Sequence, residues 1–389
     1  MKVPAPLSLA LALLVLPLFS LSAASSDSVV GQIEDFEGSV SVVRSGKQID
    51  IDYGEELLSR DLVKTGSDGY LVVGLDRRVG MSGTLVIRPK TTCALSTVVE
   101  NGQPATEADT FAGTVAVKVK KIAGDPRFRI RSGATVMGVR GTEFLVTSSP
   151  NNAVLVSCSE GRVECKSEYN GKPDVVDAVP GQVVEKRDGE RFKRIPVAVS
   201  SVAAFHDRWG TGEIDAFKAS PVQVLDQYAV TYERYKTDYI KASEALLSLP
   251  AVDAWVQEDR KGVVPYERDV SVMKQKSAIV PKLMSVRSVL FFFEPAYYRL
   301  DQVREYVRPQ FLSHKLSTGK TIRAFYQELA RDLPGFEVLT SRYRQVLYLY
   351  GLRNGGKDPF ATTDSDSFDM DMDGAGDDSF FNDEDDFFD

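Results

Sequence analysis

The sequence predicts a multidomain protein with an all-β half, then an α-helical half, then a disordered acidic tail. Short runs of Val, Ile and Leu alternate with polar residues over 29–195, which is typical of strands. Apolar residues recur every three or four positions over 222–355, which is typical of helices. From residue 356 aliphatic residues almost disappear and acidic residues dominate. A length of 389 residues is sufficient for two or three domains.

The first 24 residues resemble a secretory signal peptide. Lys2 precedes an apolar run of 15 residues, Leu7 to Leu21, and the small residues Ser22-Ala23-Ala24 form a cleavage site. We therefore expect an exported, periplasmic protein. An uncleaved membrane anchor is the alternative, but the run is short for a bilayer and no Lys or Arg follows it until Arg44.

The β half has many short strands with Gly, Asp, Asn or Pro between most of them. This spacing predicts a sandwich, a roll or a solenoid-like fold. The runs that predict strands are 39–43, 70–73, 84–87, 114–119, 127–130, 143–146, 154–156 and 162–165.

Residues 196–221 are predicted to be a linker, because they contain Gly210, Gly212 and Pro221. The helical domain, 222–355, is expected to start with a helix that ends at Pro250 and to continue through four further helical segments between prolines. Those segments are 270–293, 296–311, 319–332 and 338–352, and the prolines are Pro281, Pro295, Pro309 and Pro334. A tyrosine stripe on the first helix favours helix core over a ligand-binding face. Its members are Tyr228, Tyr232, Tyr235 and Tyr239.

The tail, 356–389, is predicted to be disordered, because it cannot bury enough apolar surface to offset its ordering entropy. Residues 358–389 hold 13 acidic residues, no basic residue and six phenylalanines. Residues 271–357 hold 15 Lys and Arg against 6 Asp and Glu, a net charge of +9. Opposite charges on one tether favour contact, so we expect the tail to bind the basic helices or a partner.

Composition excludes several classes of site. Two histidines and three cysteines make a zinc, haem or iron–sulfur site nearly impossible, and no cofactor is predicted. Gly319-Lys320-Thr321 is an incomplete P-loop, and 369–374 matches only half of an EF-hand loop. His206 and His314 are not accompanied by the sequence motif of a catalytic nucleophile, so neither is predicted to be a catalytic base. The sequence therefore predicts no enzyme, and its net charge of −8 argues weakly against nucleic acid.

The segment 136–146 contains V-R-G-T followed by a strand and resembles the signature of FecR domains. The order of its surroundings is similar too. Residues 61–66 resemble the family's G-D-x-I-x-T-G, with Arg60 in place of the first Gly, while 160–163 resemble its e-G-x-V hairpin and 180–183 its closing G-Q turn. The resemblance covers about 35 to 190 and implies a FecR-like β domain.

Five residues form this family motif: Gly138, Val139, Arg140, Gly141 and Thr142. A structural turn with an arginine clamp is favoured over an exposed recognition arginine, because nothing nearby resembles a pocket. Cys158 and Cys165 flank the predicted 160–163 hairpin. A disulfide between them depends on the register of that hairpin, and free thiols are favoured. No metal ligand set is predicted.

The resemblance implies an envelope protein. FecR proteins proper are signal transducers with a cytoplasmic segment that handles a sigma factor, a membrane span and a periplasmic domain that receives a signal from an outer-membrane transporter. This chain is expected to keep only the periplasmic part. The leading hypothesis is a non-enzymatic envelope protein that binds a protein or cell-wall partner. The alternatives are a signalling component beside a transporter and an unrecognised carbohydrate-active enzyme.

Overall fold

The computed structural model describes residues 28–75, 82–100, 103–119, 128–262 and 270–355; the side chains of 99, 100, 103, 104 and 139–142 are outside this description. The described residues form fifteen strands. They are β1 (Val29–Glu37), β2 (Val40–Arg44), β3 (Lys47–Ile49), β4 (Glu56–Leu58), β5 (Leu62–Thr65), β6 (Tyr70–Leu75), β7 (Gly83–Ile87), β8 (Thr92–Glu100), β9 (Gln103–Val119), β10 (Phe128–Ser132), β11 (Thr135–Ser148), β12 (Val154–Tyr169), β13 (Lys172–Ala178), β14 (Gln182–Lys186) and β15 (Lys193–Pro196).

The strands join in one hydrogen-bonded network. Its main path runs β15, β14, β12, β11, β10, β9, β7, β6, β1, β4, and the pairing of β9 with β10 is parallel whereas the others are antiparallel. Val30 of β1 and Val184 of β14 belong to the same buried core although they lie near opposite ends of that path. The network therefore curls around one interior, and of the three predicted architectures it is closest to a roll.

β11 and β12 cross from one part of the network to another. β11 pairs with β10 through 135–139 and with β9 through 143–148, while β12 pairs with β13 through 163–169 and with β14 through 154–157. The register between β11 and β12 shifts between Arg140 and Phe144. Bulges of this kind let a strand bend and change partners, so the two strands form a corner of the roll.

The predicted strand runs each coincide with part of a strand, but two predictions of separate short strands were wrong. The runs 154–156 and 162–165 belong to one 16-residue strand, β12. The hairpin predicted at 160–163 is therefore absent. Gly161 supplies its positive φ of 78° within the strand pair, at the bulge, rather than in a turn.

The helical half has five α-helices in its described part: α1 (Val202–Ala219), α2 (Pro221–Leu247), α3 (Pro250–Arg260), α4 (Val270–Val303) and α5 (Ile322–Leu352). The predicted linker thus contains a helix of 18 residues, α1. The expected breaks at Pro281, Pro295 and Pro334 were wrong, since each proline lies inside a continuous helix. The predicted segment 296–311 is α-helical only as far as Val303. Pro221 and Pro250 instead begin helices, where a missing N–H has no cost.

The tyrosine stripe is helix core, as predicted. Tyr232 and Tyr239 are fully buried, while Tyr228 and Tyr235 pack partly buried against the same cluster. Three β-half residues, Leu62, Ala94 and Phe111, also belong to this helical core. The helices therefore pack directly on the sheet.

No helix in the described ranges is both long and apolar enough to cross a bilayer. The predicted signal peptide (1–24) and acidic tail (356–389) lie outside the described residues, and both stay predictions.

Candidate functional site

The loop between β11 and β12 is held by three helices. The Arg299 side chain of α4, which is 1% exposed, donates to the carbonyl of Ser149. The Tyr228 hydroxyl of α2 donates to the carbonyl of Pro150 at 2.5 Å. The Asn151 amide donates to the carboxylate of Glu213 on α1 at 3.3 Å. The far end of the two crossing strands is thus fixed to the helical half.

His206 of α1 lies buried against the same two strands. Its Nδ1 lies 2.8 Å from the Thr147 hydroxyl of β11, and its Nε2 lies 2.9 Å from the Ser157 hydroxyl of β12. Burial, helped by the positive charge of Arg88, lowers the pKa of His206 to about 3. The sequence interpretation of His206 as a linker residue was wrong, because its imidazole is a neutral bridge between the halves.

We expect His206 to make the folded chain acid-sensitive. Its pKa is about 3 in the folded state and about 6.5 when unfolded. The unfolded state therefore binds the proton first, so the stabilisation is complete above about pH 6.5 and falls by roughly 1.4 kcal/mol per pH unit below it. Urea unfolding of the native chain and His206→Gln between pH 4 and 8 measures this, as a gap between the two that narrows on acidification.

The chain supplies a matched control in its second histidine. His314 is exposed, so His314→Gln should leave the pH profile of unfolding unchanged. A gap between the native chain and His206→Gln that stays constant across this pH range would contradict the neutral bridge.

A network of six charged side chains joins the sheet to the helices at a second point. Arg344 of α5 lies at its centre, with its Nη2 3.1 Å from Asp109 Oδ2 of β9 and 3.0 Å from Glu294 Oε1 of α4. The Arg131 guanidinium of β10 lies 3.7 Å from the Asp109 carboxylate and 3.5 Å from Glu107. Three acids therefore face three arginines, the sixth member being Arg129, 3.4 Å from Glu107.

Burial separates the pKa values of the three acids in this network. Burial, together with the Asp109 carboxylate, raises the pKa of Glu294 to about 7 despite the neighbouring Arg344. Burial and Glu107 likewise raise the pKa of Asp109. Burial opposes ionisation of Glu107 too, but Arg131 and Arg129 outweigh it and lower that pKa. Of the three acids, Glu107 alone has a lowered pKa. We interpret the six side chains as a structural charge cluster centred on Arg344.

A third set of contacts involves two lysines of the β half. Lys64 of β5 donates to Glu337 of α5 at 2.8 Å. Lys90 donates to the Tyr306 hydroxyl at 3.1 Å and lies 2.9 Å from the Glu305 carboxylate. The loop contacts, the charge network and these lysine pairs therefore join the sheet to the helices at three points.

The segment 61–66, which resembles the first family motif, is structural. Asp61 is fully buried and accepts from the Arg44 guanidinium at 2.8 and 2.7 Å and from the Leu58 N–H at 2.8 Å. The Thr65 hydroxyl donates to the Arg88 carbonyl at 2.6 Å. A Cβ on Gly66 would lie 2.7 Å from the Ser39 Cβ, so only glycine fits there. These contacts fix β5 between β2 and β8.

Arg60, where glycine is usual in that motif, adopts a positive φ of 78°. For a residue with a Cβ this region costs roughly 1 kcal/mol, whereas glycine enters it freely. We expect Arg60→Gly to be more stable than Arg60→Ala by about 1 kcal/mol, since both variants lose the same side-chain interactions. Denaturant unfolding of the pair measures the difference; equal stability of the two would contradict a backbone cost at this position.

The motif Gly138 to Thr142 lies inside β11 at the strand-crossing corner and does not form the predicted turn. Arg140 pairs with Arg162 of β12 in the backbone register, just before the shift in pairing. The side chains of Val139, Arg140 and Thr142 are outside the described residues. The choice between an arginine clamp and a recognition arginine therefore stays a prediction, but the backbone places the motif at the bulge that redirects both strands.

Cys158 and Cys165 lie on the same strand, β12, on either side of the bulge. Their register partners on β11 are Phe144 and Met137, and both thiols are free and buried. Burial raises the pKa of Cys158 to about 11 and that of Cys165 to about 12. Since the thiolate is the reactive form, these are inert core side chains in this structure.

The remaining sequence candidates have structural partners. Lys320 of the incomplete P-loop lies 2.6 Å from both Glu233 and Glu328. His314 lines a cleft with Asp226 and Lys315 between the start of α2 and the loop before α5. Within the described ranges, no three His, Cys, Asp or Glu side chains are placed to hold a metal ion.

The strand-crossing region lies within a match to a known protein family. The family model described as "FecR protein" matches residues 61–164. This chain contains a FecR domain. The match starts at Asp61, the buried carboxylate of the first motif, and ends in β12 just after the bulge. The FecR domain thus includes the corner, Glu107 and Asp109 of the charge network, and the loop that Arg299 holds.

Two crystal structures of one protein match part of the chain. They are described as a "putative anti-sigma factor from Parabacteroides distasonis ATCC 8503", at 1.65 and 2.50 Å resolution. Each is 14% identical, covers 37% of this chain and 63% of its own, and has a TM-score of 0.31. The chain thus spans less than two thirds of those proteins. The search of curated proteins finds no match.

Proposed function

We propose that this chain is a non-enzymatic protein of the bacterial envelope that binds a protein or cell-wall partner. The FecR domain at 61–164 carries the proposal, because the family resemblance implies a periplasmic domain that binds a partner rather than one that catalyses a reaction. The contacts of the interface support it. The helical half contacts the FecR domain at the 149–151 loop, through Arg344, and through the domain's own Lys64 and Lys90. The two parts therefore act as one unit in binding a partner.

Envelope signalling beside an outer-membrane transporter is the second candidate, and the FecR match favours it. In this version the helical half transmits the signal that the FecR domain receives. A partner that moves the β11–β12 corner would act on the helices through Ser149 and Asp109, the β-half residues that Arg299 and Arg344 contact. The carbohydrate-active enzyme is the remaining alternative and needs a direct assay, because the buried acids Asp109 and Glu294, which are paired with Arg344, do not bear on an exposed carboxylate pair.

Partner capture in the source organism tests both candidates. The exposed positions Tyr53, 63% exposed, and Val175, 51% exposed, lie on the β half and accept a photo-crosslinking amino acid without disturbing its core. We expect envelope proteins or cell-wall fragments to be captured, and an outer-membrane transporter among them would select the signalling version. Capture of cytoplasmic proteins alone would overturn the proposal.

A direct assay addresses catalysis. Purified chain incubated with isolated cell wall should release no new reducing ends above a boiled control. Release that follows the folded protein would overturn the non-enzymatic assignment, whatever the crosslinking shows.

A further inference from the structure

Three exposed apolar side chains line up along α4. Met273, Met284 and Phe291 are 57%, 53% and 50% exposed. At 3.6 residues per turn, their positions fall within about 20° of one line along the helix, and they span about 27 Å. Phe292, also 50% exposed, lies about 100° further round the helix. Its ring contacts that of Phe291, with centroids 5.1 Å apart, and stacks on Tyr235 of α2, with centroids 5.4 Å apart. We call these four residues the α4 stripe.

The helix segment that carries the α4 stripe is basic. Residues 270–293 contain Lys274, Lys276, Lys282 and Arg287 and no acidic residue. Exposed apolar side chains among positive charges suit an occupant that is both aromatic and acidic. The positive charges favour an acidic occupant over a neutral peptide, because complementary charges determine which partner binds.

The chain itself ends in a segment with this chemistry. Residues 358–389 combine 13 acidic residues with the phenylalanine pairs Phe380-Phe381 and Phe387-Phe388. The last described residues of the chain contact the N-terminal part of α4. Lys276 of α4 donates to the carbonyl of Arg353 at 3.2 Å and to the Asn354 side chain at 2.9 Å, just after the end of α5.

We propose that the acidic segment 358–389 docks on the α4 stripe of its own chain, with phenylalanine side chains on Met284 and Phe291 and carboxylates on the flanking lysines. The tether makes weak binding sufficient. A short tether gives an effective concentration in the millimolar range, so a contact with a Kd of about 1 mM is already half formed. The docked segment covers the stripe until a partner with similar aromatic and acidic groups displaces it.

Photo-crosslinking in the full-length chain tests this contact. A crosslinking amino acid at Met284 should yield an intramolecular product that maps to 358–389. The same residue at Val230, 46% exposed on α2, is the matched control and should yield at least fivefold less. Raising the salt to 0.5 M, which shortens the range of charge attraction, should lower the Met284 product several-fold.

A second variant separates the aromatic from the charge contribution. The variant that combines Phe380→Ser, Phe381→Ser, Phe387→Ser and Phe388→Ser leaves every acidic residue in place and should abolish the Met284 product. Equal yields from Met284 and Val230, no product with 358–389, or a product only between two copies of the chain would each overturn the proposal. None of these outcomes depends on the FecR partner.

Discussion

Replacing Arg344 with methionine should destabilise the folded chain by about 3–5 kcal/mol, because it leaves buried acids without their cation. The Arg344 guanidinium lies between Asp109 and Glu294, at 3.1 and 3.0 Å, and its side chain is 15% exposed. Methionine keeps the apolar stem that packs in the core, so the loss reports mainly on the charge. Denaturant unfolding at pH 7.5 measures the effect.

Two further variants make this result specific. Arg323→Met changes an exposed arginine of the same helix and should cost less than about 0.5 kcal/mol. Adding Glu294→Gln to Arg344→Met should recover part of the loss, since one of the stranded acids is then neutral. A single variant as stable as the native chain, or no recovery in the double variant, would show that the network does not fasten the two halves.

The order of a β half and an α half was predictable because it depends on local periodicity. Alternation along β6 and β10 and the three-to-four spacing of the tyrosine stripe both follow from which side chains face a core. The breaks at Pro295 and Pro334 were wrong for a physical reason. Tertiary packing on both sides, with Phe293 and Tyr297 around Pro295 and Leu333 and Phe336 around Pro334, keeps each helix continuous at the cost of one hydrogen bond.

The V-R-G-T corner shows a different limit. Gly and polar residues at 138–142 and 160–162 have the composition of turns, and a bulge uses the same residues. Only the pairing of β11 and β12 over their full length distinguishes the two. That pairing joins residues up to 30 apart, such as Val136 and Lys166, and has no local signal.

The interface could not be predicted from sequence at all. Arg344 and Asp109 are 235 residues apart, and Arg299 and Ser149 are 150 apart. No periodicity links such pairs, and an arginine in an amphipathic helix has the same pattern whether it faces water or an acid. His206 had one usable signal, since a lone imidazole in a segment with helical residues on both sides is compatible with burial, but its partners Thr147 and Ser157 are ordinary strand residues.

Replacing Asp61 with alanine should cost about 3–5 kcal/mol and unfold the β half before the helical half. Asp61 is fully buried, and its carboxylate accepts both the two-point contact of Arg44 and the Leu58 N–H. Alanine leaves the guanidinium and the amide without this acceptor in a site that holds β2, β4 and β5 together.

Asp61→Asn keeps one acceptor oxygen and should lose less, whereas Asp50→Ala removes an exposed carboxylate and should change stability by under about 0.5 kcal/mol. Hydrogen exchange followed by fragment analysis measures the site of the loss. Faster exchange should appear in β2, β5 and β8 before it appears in α2 and α4, because the helical core keeps its own packing; simultaneous loss in both halves, or no loss in Asp61→Ala, would contradict a local role for this motif.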